Sequence, residues 1–135
     1  MEEPSGIIYT DASLKLVCYL LVAPKLEVGI LSIADKTVNE AEYFAVLHAL
    51  ARARRLGLKS LTLYSDSQLV IRQLNGKYRI KEPRLQALAQ KVRETTKGMQ
   101  ITFIHISREE NLAGIVLEGG RKANAVLGKI RSAIS

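Results

Sequence analysis

The chain has 135 residues, 47% of them hydrophobic, with a formal net charge of +7 and a pI of about 9.7. This length supports a single domain over residues 1–135 with a sizeable core. The charge favours a polyanionic partner such as nucleic acid. Aromatic residues make up only 5% and tryptophan is absent, which argues against single-strand binding by stacked aromatic side chains.

The first residues, MEEPSG, lack the basic and apolar regions of a secretion signal, and no apolar run is long enough to span a membrane. The single cysteine, Cys18, lies in the apolar run LVCYLLV, which predicts a buried thiol. Because no second cysteine is available for a disulfide, we expect a reducing compartment such as the cytoplasm.

Three apolar runs rich in β-forming residues open the chain, at positions 6–11, 14–23 and 26–33. A Pro-Lys turn separates the second run from the third, which is typical of antiparallel strands. The third run contains LEVGILSI, which has few charges and would lie at the edge of a sheet. An uncharged edge strand can pair with the same strand of another copy, so a homodimer through this edge is a hypothesis.

Helical and β patterns alternate after the third run. Apolar residues recur at helical spacing from Asn39 and stop at Gly57, which predicts a helix. Residues 59–65 then read as a strand. A short helix is predicted over residues 67–74, because an Asn-Gly pair follows it as a stop signal.

The second half of the chain continues this alternation. KYRIKEP, at positions 77–83, is a basic linker, and its proline opens a helix that runs to about position 96. Residues 99–106 alternate as a strand. The tail over 111–134 has a helical composition with four glycines, each costing roughly 1 kcal/mol relative to alanine, which predicts a helix broken into two pieces. The order of elements predicts a mixed sheet with helices on its faces.

Carboxylates follow two of the predicted strands and one helix start. Asp11 ends the first strand, Asp66 follows the fourth, and Glu42 lies near the start of the helix between them. If these strands are parallel neighbours, both aspartates emerge at one edge of the sheet, where open α/β sheets place ligand sites. Clustered carboxylates repel one another unless a cation lies among them, and an all-oxygen ligand set suits Mg²⁺ or Mn²⁺.

Each of these acids also has a structural explanation. Asn39 and Glu42 have the spacing of a capping box. Asp66 could cap the helix that follows it, and Asp11 could bond to its own turn. The joint placement of the three acids favours the metal site over three separate structural roles.

The chain contains four motifs in order: IYTDAS, VNEAEY, YSDSQLVIRQLNGKYRIKEPRL and HISREEN. Together they resemble the type 1 ribonuclease H family, most closely its short prokaryotic branch. The resemblance covers about residues 6–113 and is most specific over residues 64–85. It implies an α/β fold, with a five-stranded mixed sheet whose first three strands are antiparallel and helices on both faces. It also implies hydrolysis of the RNA strand of RNA/DNA hybrids, with two divalent ions held by four carboxylates.

The resemblance assigns roles to particular residues. It implies that Asp11 bridges both ions and that Glu42 and Asp66 complete the shell of one, which makes these three the predicted catalytic and metal-binding residues. It also implies hybrid binding through 2′-hydroxyl, minor-groove and phosphate contacts. The predicted nucleic-acid-binding residues are Ser13, Asn39, Ser67, Gln68, Lys77, Arg79, Lys81 and Arg84. For the last four, the alternative is a solvated basic linker.

The sequence departs from the family pattern at the fourth carboxylate. After Arg-Glu-x-Asn the family usually has Ala-Asp, where this chain has Gly114-Ile115, and an isoleucine cannot bind a metal. Glu118 lies three residues further on, on the same helical face, and is the candidate substitute catalytic carboxylate. The turn after DAS is also short, which removes substrate contacts, and Val38 replaces an asparagine that the family often has.

These departures leave two hypotheses. The first is an active, metal-dependent endoribonuclease with reduced or altered activity. The second is a domain that has lost strong catalysis and binds nucleic acid or a protein partner. Three carboxylates in their full motif context favour the enzyme.

Overall fold

Five strands, five α-helices and one 3₁₀ turn make up most of residues 3–134, which are the residues that the computed structural model describes. In chain order they are β1 Ser5–Ala12, β2 Leu16–Ala23, β3 Glu27–Ser32, α1 Val38–Arg55, β4 Ser60–Ser65, α2 Gln68–Leu74, α3 Pro83–Thr95, β5 Gln100–His105, the 3₁₀ turn Arg108–Glu110, α4 Leu112–Glu118 and α5 Gly120–Ile134. Each predicted strand and helix is present.

The strands form one sheet in the order β3-β2-β1-β4-β5. β2 is antiparallel to both β1 and β3, whereas β4 is parallel to β1 and to β5. The predicted five-stranded mixed sheet, antiparallel over its first three strands, is confirmed. Tyr9 pairs with Tyr64 in the β1–β4 register, and their rings stack with centroids 4.8 Å apart. Since these strands point the same way, Asp11 and Asp66 lie at the same edge of the sheet.

The sheet buries both of its faces. Along β2, Tyr19 and Leu21 belong to the main core with residues of α1 and α3. The alternate residues Cys18 and Leu20 lie in a second cluster with residues of α4, and α5 packs against that cluster. Cys18 is fully buried, as its apolar context predicts. α1 is therefore fixed on one face of the sheet and α4 on the other.

α1 begins one residue earlier than predicted, because Thr37 caps it. The Thr37 hydroxyl accepts a hydrogen bond from the Glu40 amide at 3.2 Å, and the Glu40 carboxylate accepts one from the Thr37 amide at 3.1 Å. This is a complete capping box. The alternative of a capping box between Asn39 and Glu42 is therefore wrong, and Glu42 is free for another role.

Two other boundaries move for local reasons. α2 begins at Gln68 with Ser67 as its N-cap, whose hydroxyl accepts from the Val70 amide, so Asp66 does not cap this helix. β2 begins at Leu16, two residues later than predicted. The Ser13 amide donates to the Leu16 carbonyl at 2.8 Å, which closes the short turn that follows β1.

The tail is divided into α4 and α5, as its glycines predict. Gly119 separates the two helices with φ of 75° and ψ of −165°, a backbone conformation that glycine adopts readily and other residues rarely do. Neither of these helices, nor any other within residues 3–134, is long and apolar enough to cross a membrane.

β3 is an edge strand of the sheet, as its sequence indicated. Within residues 3–134 it pairs only with β2, and Val28, Ile30 and Leu31 are between 37% and 50% exposed. Glu27, its one charged residue, is bound by Arg52 through two hydrogen bonds of 2.7 and 2.8 Å. The pairing of two copies through this edge stays a prediction.

Gly29 in β3 leads to a first testable prediction. It pairs with Tyr19 of β2, and a Cβ atom built on Gly29 would lie 2.0 Å from Tyr19 Cε2. The Tyr19 ring is only 5% exposed and its hydroxyl donates to Glu27, so the ring has little freedom to move away. We expect Gly29→Ala to lower the free energy of unfolding by about 1–3 kcal/mol in urea melts.

Gly128 is the matched control for that substitution. It lies inside α5, and a Cβ atom there meets nothing within 4 Å. Gly128→Ala should leave the free energy of unfolding unchanged or raise it by up to about 1 kcal/mol. Equal effects of the two substitutions would contradict the packing of Tyr19 on Gly29.

Candidate functional site

Three carboxylates meet at the edge of the sheet where β1 and β4 end. Asp11 is the penultimate residue of β1, Asp66 directly follows β4, and Glu42 lies in the second turn of α1. One oxygen atom from each side chain lies within 4.8 Å of the others. The structure thus brings together the three residues that the sequence selected as catalytic and metal-binding.

Glu42 is the most buried member of this carboxylate group. The residue is only 6% exposed, and its Oε2 atom has no hydrogen-bond partner among the described residues. An ionised carboxylate without a partner is costly to bury. The carboxylate group is therefore electrostatically incomplete, and a proton or a cation would complete it.

Burial and mutual repulsion shift the protonation of the group. Burial, followed by the charges of Asp11 and Asp66, raises the pKa of Glu42 to about 8. Burial, followed by the charge of Asp66, raises the pKa of Asp11 to about 6. A hydrogen bond from the Ala12 amide opposes both shifts. A cation among these oxygens would reverse the shifts, because it stabilises the ionised forms.

Asn111 holds Asp66 in place. This fully buried residue donates from Nδ2 to the Thr10 carbonyl at 2.9 Å and to Asp66 Oδ2 at 3.3 Å. Its Oδ1 atom accepts from the Ala113 amide at 3.1 Å and caps α4. Asn111 thus joins β1, Asp66 and the start of α4. Asn111 is not among the site residues predicted from the sequence, although an asparagine directly before a helical tail is an N-cap signal.

Arg108 is a second site residue that was not predicted from the sequence. It lines a cavity of about 310 Å³ with Asp11, Glu42 and Asp66. Its positive charge lowers the pKa of both Asp11 and Glu42, against the larger effects that raise them. The sequence signal for Arg108 was its place in the HISREEN motif, three residues after the end of β5. Because β5 is parallel to β4, the two strands end at the same edge of the sheet.

The expected position of a fourth carboxylate is occupied differently. A Cβ atom built on Gly114 would lie 3.1 Å from Asp11 Oδ2, so the backbone of α4 closely approaches Asp11. Ile115 and Glu118 line a neighbouring depression, together with Arg108. Glu118 is exposed, and it does not join the other three acids in the carboxylate group. Its charge still reaches Asp11, where it adds to the factors that raise the pKa.

Four of the predicted nucleic-acid-binding residues lie close to this edge of the sheet: Ser13, Asn39, Ser67 and Gln68. Two of them have hydroxyls that the fold already uses: Ser13 accepts from the Leu16 amide in the turn after β1, and Ser67 caps α2. Asn39 is half-buried in the first turn of α1, and Gln68 is exposed at the start of α2. Val38, beside Asn39, is 61% exposed and lines the carboxylate cavity.

The four predicted basic contacts lie on the surface. Three of them, Lys77, Arg79 and Lys81, are exposed in the loop between α2 and α3. Arg84, in the first turn of α3, lies 3.7 Å from the carboxylate of Glu40. Arg84 therefore lies beside the first turn of α1, the end of that helix near which Glu42 stands. Arg84 also lines a second cavity, of about 390 Å³, which is bordered by further basic residues, Lys36 and Lys91.

The carboxylate group has the chemistry of a site for a hard divalent cation. It offers three carboxylate side chains, and carboxylate oxygens are the ligands that Mg²⁺ and Mn²⁺ prefer. The buried Glu42 Oε2 atom, which lacks a partner, supports the same conclusion. Asp11, Glu42 and Asp66 can therefore hold such an ion.

The chain is similar in sequence and fold to known proteins. A family model described as reverse transcriptase-like matches residues 28–117. The ribonuclease HI of Halobacterium salinarum is 36% identical over 81 residues, which are 59% of this chain and 41% of that protein. The chain thus spans less than half the length of this curated relative.

Solved structures with similar folds extend the comparison. The crystal structure of RNase H1 from Halobacterium salinarum has a TM-score of 0.76 and 28% identity, covering 81% of this chain and 90% of that one. LC11-RNase H1, solved in complex with an RNA/DNA hybrid, has a TM-score of 0.73 and 26% identity, covering 78% of this chain and 88% of that one. The sheet and helices described above match these structures.

The raised pKa of Glu42 predicts how the stability of metal-free protein depends on pH. Between the ordinary value of 4.5 and the raised value of about 8, folded Glu42 binds a proton that the unfolded chain has released. The free energy of unfolding therefore falls as pH rises through this window. In EDTA, we expect Tm to be lower at pH 8 than at pH 5, by at least about 3 °C.

Glu42→Gln is the comparison that isolates this effect. This substitution should make the fall of Tm with rising pH less steep. Burial lowers the pKa of His48, which changes the stability with pH in the opposite direction, but this contribution is the same in both proteins and cancels when they are compared. Added Mn²⁺ should raise Tm of the unsubstituted chain more at pH 8 than at pH 5, because the ion competes with the proton. Identical pH profiles for the two proteins would contradict the buried, repelled state of Glu42.

Proposed function

Because the chain belongs to the type 1 ribonuclease H family, we propose that it is a metal-dependent endoribonuclease that hydrolyses the RNA strand of RNA/DNA hybrids. The observation that carries this proposal is the carboxylate group of Asp11, Glu42 and Asp66, with its buried, unpartnered Glu42 oxygen. The ribonuclease HI relative supports the activity. The complex of LC11-RNase H1 with a hybrid supports the substrate.

We propose that Asp11, Glu42 and Asp66 act in catalysis as the ligands of Mg²⁺ or Mn²⁺. A bound divalent ion supplies a water of lowered pKa and neutralises charge on the phosphate oxygens. The protein's own part is to fix its ligands: β1 carries Asp11, the packed helix α1 carries Glu42, and Asn111 holds Asp66 through its side-chain amide.

The reaction is the hydrolysis of a phosphodiester in the RNA strand. A bond forms from the water oxygen to phosphorus while the bond from phosphorus to the 3′ oxygen breaks. The water releases a proton to solvent and the 3′ oxygen takes one up. Because the open carboxylate cavity is lined by acidic and basic groups together, it can orient a phosphate near the acids while a cation offsets their repulsion.

Hybrid binding is proposed across the starts of α1 and α2. Asn39, Ser67 and Gln68 lie there, next to the carboxylate group, and would reach the minor groove and the 2′-hydroxyls of the RNA strand. The exposed basic residues Lys77, Arg79, Lys81 and Arg84 would contact phosphates. The net charge of +7 supports this binding.

A second candidate function rests on the missing fourth carboxylate. With Ile115 in its place and Glu118 outside the carboxylate group, the site has one acid fewer than the family pattern implies. The chain would then be a catalytically impaired domain that binds nucleic acid or a protein partner. Among the described residues, the buried Glu42 Oε2 atom has no hydrogen-bond partner, and burying such a carboxylate costs free energy. This favours the enzyme, because a domain that only binds nucleic acid has no use for a buried metal ligand.

A cleavage assay on a labelled RNA/DNA hybrid separates the two candidates. The chain should cut the RNA strand in Mg²⁺ or Mn²⁺ and lose this activity in EDTA. Asp11→Asn should lower the rate by more than about 100-fold. Loss of a residue that only supports a metal ligand costs up to about 100-fold, and Asp11 is proposed to bind the ion directly. The assay measures initial rates at saturating hybrid for both proteins.

Glu94→Gln is the matched control and should leave the rate unchanged. Glu94 is exposed near the end of α3, whereas Arg84 lies at the start of that helix. Cleavage that survives Asp11→Asn would rule out this site. Hybrid binding that weakens steeply with salt, with no cleavage in either ion, would support the binding domain instead.

A further inference from the structure

Arg108 lines the carboxylate cavity from the turn after β5, which is the third of the parallel strands β1, β4 and β5. It starts the 3₁₀ turn that follows β5, and Ser107 and Glu110 cap this turn reciprocally. The Ser107 hydroxyl donates to the Glu110 carboxylate at 2.7 Å. These bonds fix the backbone of Arg108 at the mouth of the carboxylate cavity, so the fold places this residue beside the three acids.

The guanidinium of Arg108 is not used by the fold. Within residues 3–134 it makes no hydrogen bond, and no carboxylate oxygen lies within 4.0 Å of it. Two other arginines, by contrast, are engaged: Arg52 binds Glu27, and Arg54 donates to the backbone carbonyls of Thr95 and Lys97. Arg108 is exposed and lines both the carboxylate cavity and the depression beside it.

The flank where a fourth acid would stand adds no carboxylate to the group of Asp11, Glu42 and Asp66 within the described residues. Gly114 brings the α4 backbone against Asp11, and Ile115 follows it as an apolar side chain. Three carboxylates with one divalent ion leave a formal charge of minus one, which would repel a phosphodiester. One guanidinium at the same cavity balances this charge. Its planar fork also matches two phosphate oxygens at once.

We propose, on the basis of the proposed function, that the protein holds one divalent ion at this site and that Arg108 supplies the second positive charge. Arg108 donates to non-bridging oxygens of the phosphate that is cut. It therefore stabilises the negative charge that develops there as the water attacks. Arg108 is thus a catalytic residue, and it supplies positive charge at a site where Ile115 stands in place of a fourth carboxylate.

Manganese titration and hybrid cleavage test the proposal together. Calorimetric titration of the chain without nucleic acid should give one Mn²⁺ per molecule, and Arg108→Gln should keep that number. In the cleavage assay, Arg108→Gln should lower kcat by about 10- to 100-fold, somewhat less than the loss of a buried oxyanion-hole donor. Arg108→Lys should recover part of this loss, because it restores the charge without the fork.

Arg55→Gln is the matched control. Arg55 is exposed in the last turn of α1, 13 residues after Glu42, which is about 20 Å along the helix. It should leave both the manganese count and kcat unchanged. An Arg108→Gln protein that matches Arg55→Gln in kcat would overturn the catalytic role of Arg108.

Two further outcomes bear on the ion count. Two Mn²⁺ per molecule, reduced to one by Glu118→Ala, would overturn the proposal and make Glu118 the missing ligand. One Mn²⁺, unchanged by Glu118→Ala, supports it. If the unsubstituted chain cuts no hybrid, the proposed function fails, whereas the manganese titration still decides the number of ions.

Discussion

The parallel pairing of β1 with β4 is the interaction on which the site depends. It sets Tyr9 opposite Tyr64, and from this register each strand carries an aspartate to the same edge of the sheet. α1 brings Glu42 to them because its neighbours Tyr43 and Val46 are fully buried in the core. The apolar core thus holds three acids closer together than they would stay in a free chain, and the burial of that core offsets their repulsion.

This arrangement separates the stability of the protein from its chemistry. The side chains that hold the layers together are apolar and face away from the edge, whereas the edge collects groups that the fold leaves unsatisfied, such as Glu42 Oε2. Buried polar groups without partners are rare in folded proteins and concentrate where a ligand completes them. The same edge also carries the guanidinium of Arg108, which has no partner within residues 3–134. Carboxylates and a positively charged side chain are therefore both available to a polyanion and its counterion.

Alternation and the order of the elements predicted the strands and a mixed sheet. The placement of the three acids at strand ends and a helix start indicated a metal site, and the resemblance to the family implied the five-stranded sheet and the role of each acid. The sequence did not predict the start of α1, since Thr37 and Asn39 are both good caps and each has a glutamate three residues later. Packing decides between them, because Glu42 is drawn into the edge and Glu40 is left to cap. The roles of Arg108 and Asn111 were hidden for a similar reason. They depend on how the chain turns after β5, which periodicity does not record.

The buried amide of Asn111 has a consequence for the lifetime of the site. The same side chain contacts Thr10, Asp66 and Ala113, so α4 cannot lift away without releasing Asp66. α4 has only seven residues and ends at a glycine, and short elements of this kind open far more often than the whole molecule unfolds. Local opening of this two-turn helix therefore releases Asp66 from Asn111 while the rest of the molecule stays folded, so the hold on Asp66 depends on the local stability of α4.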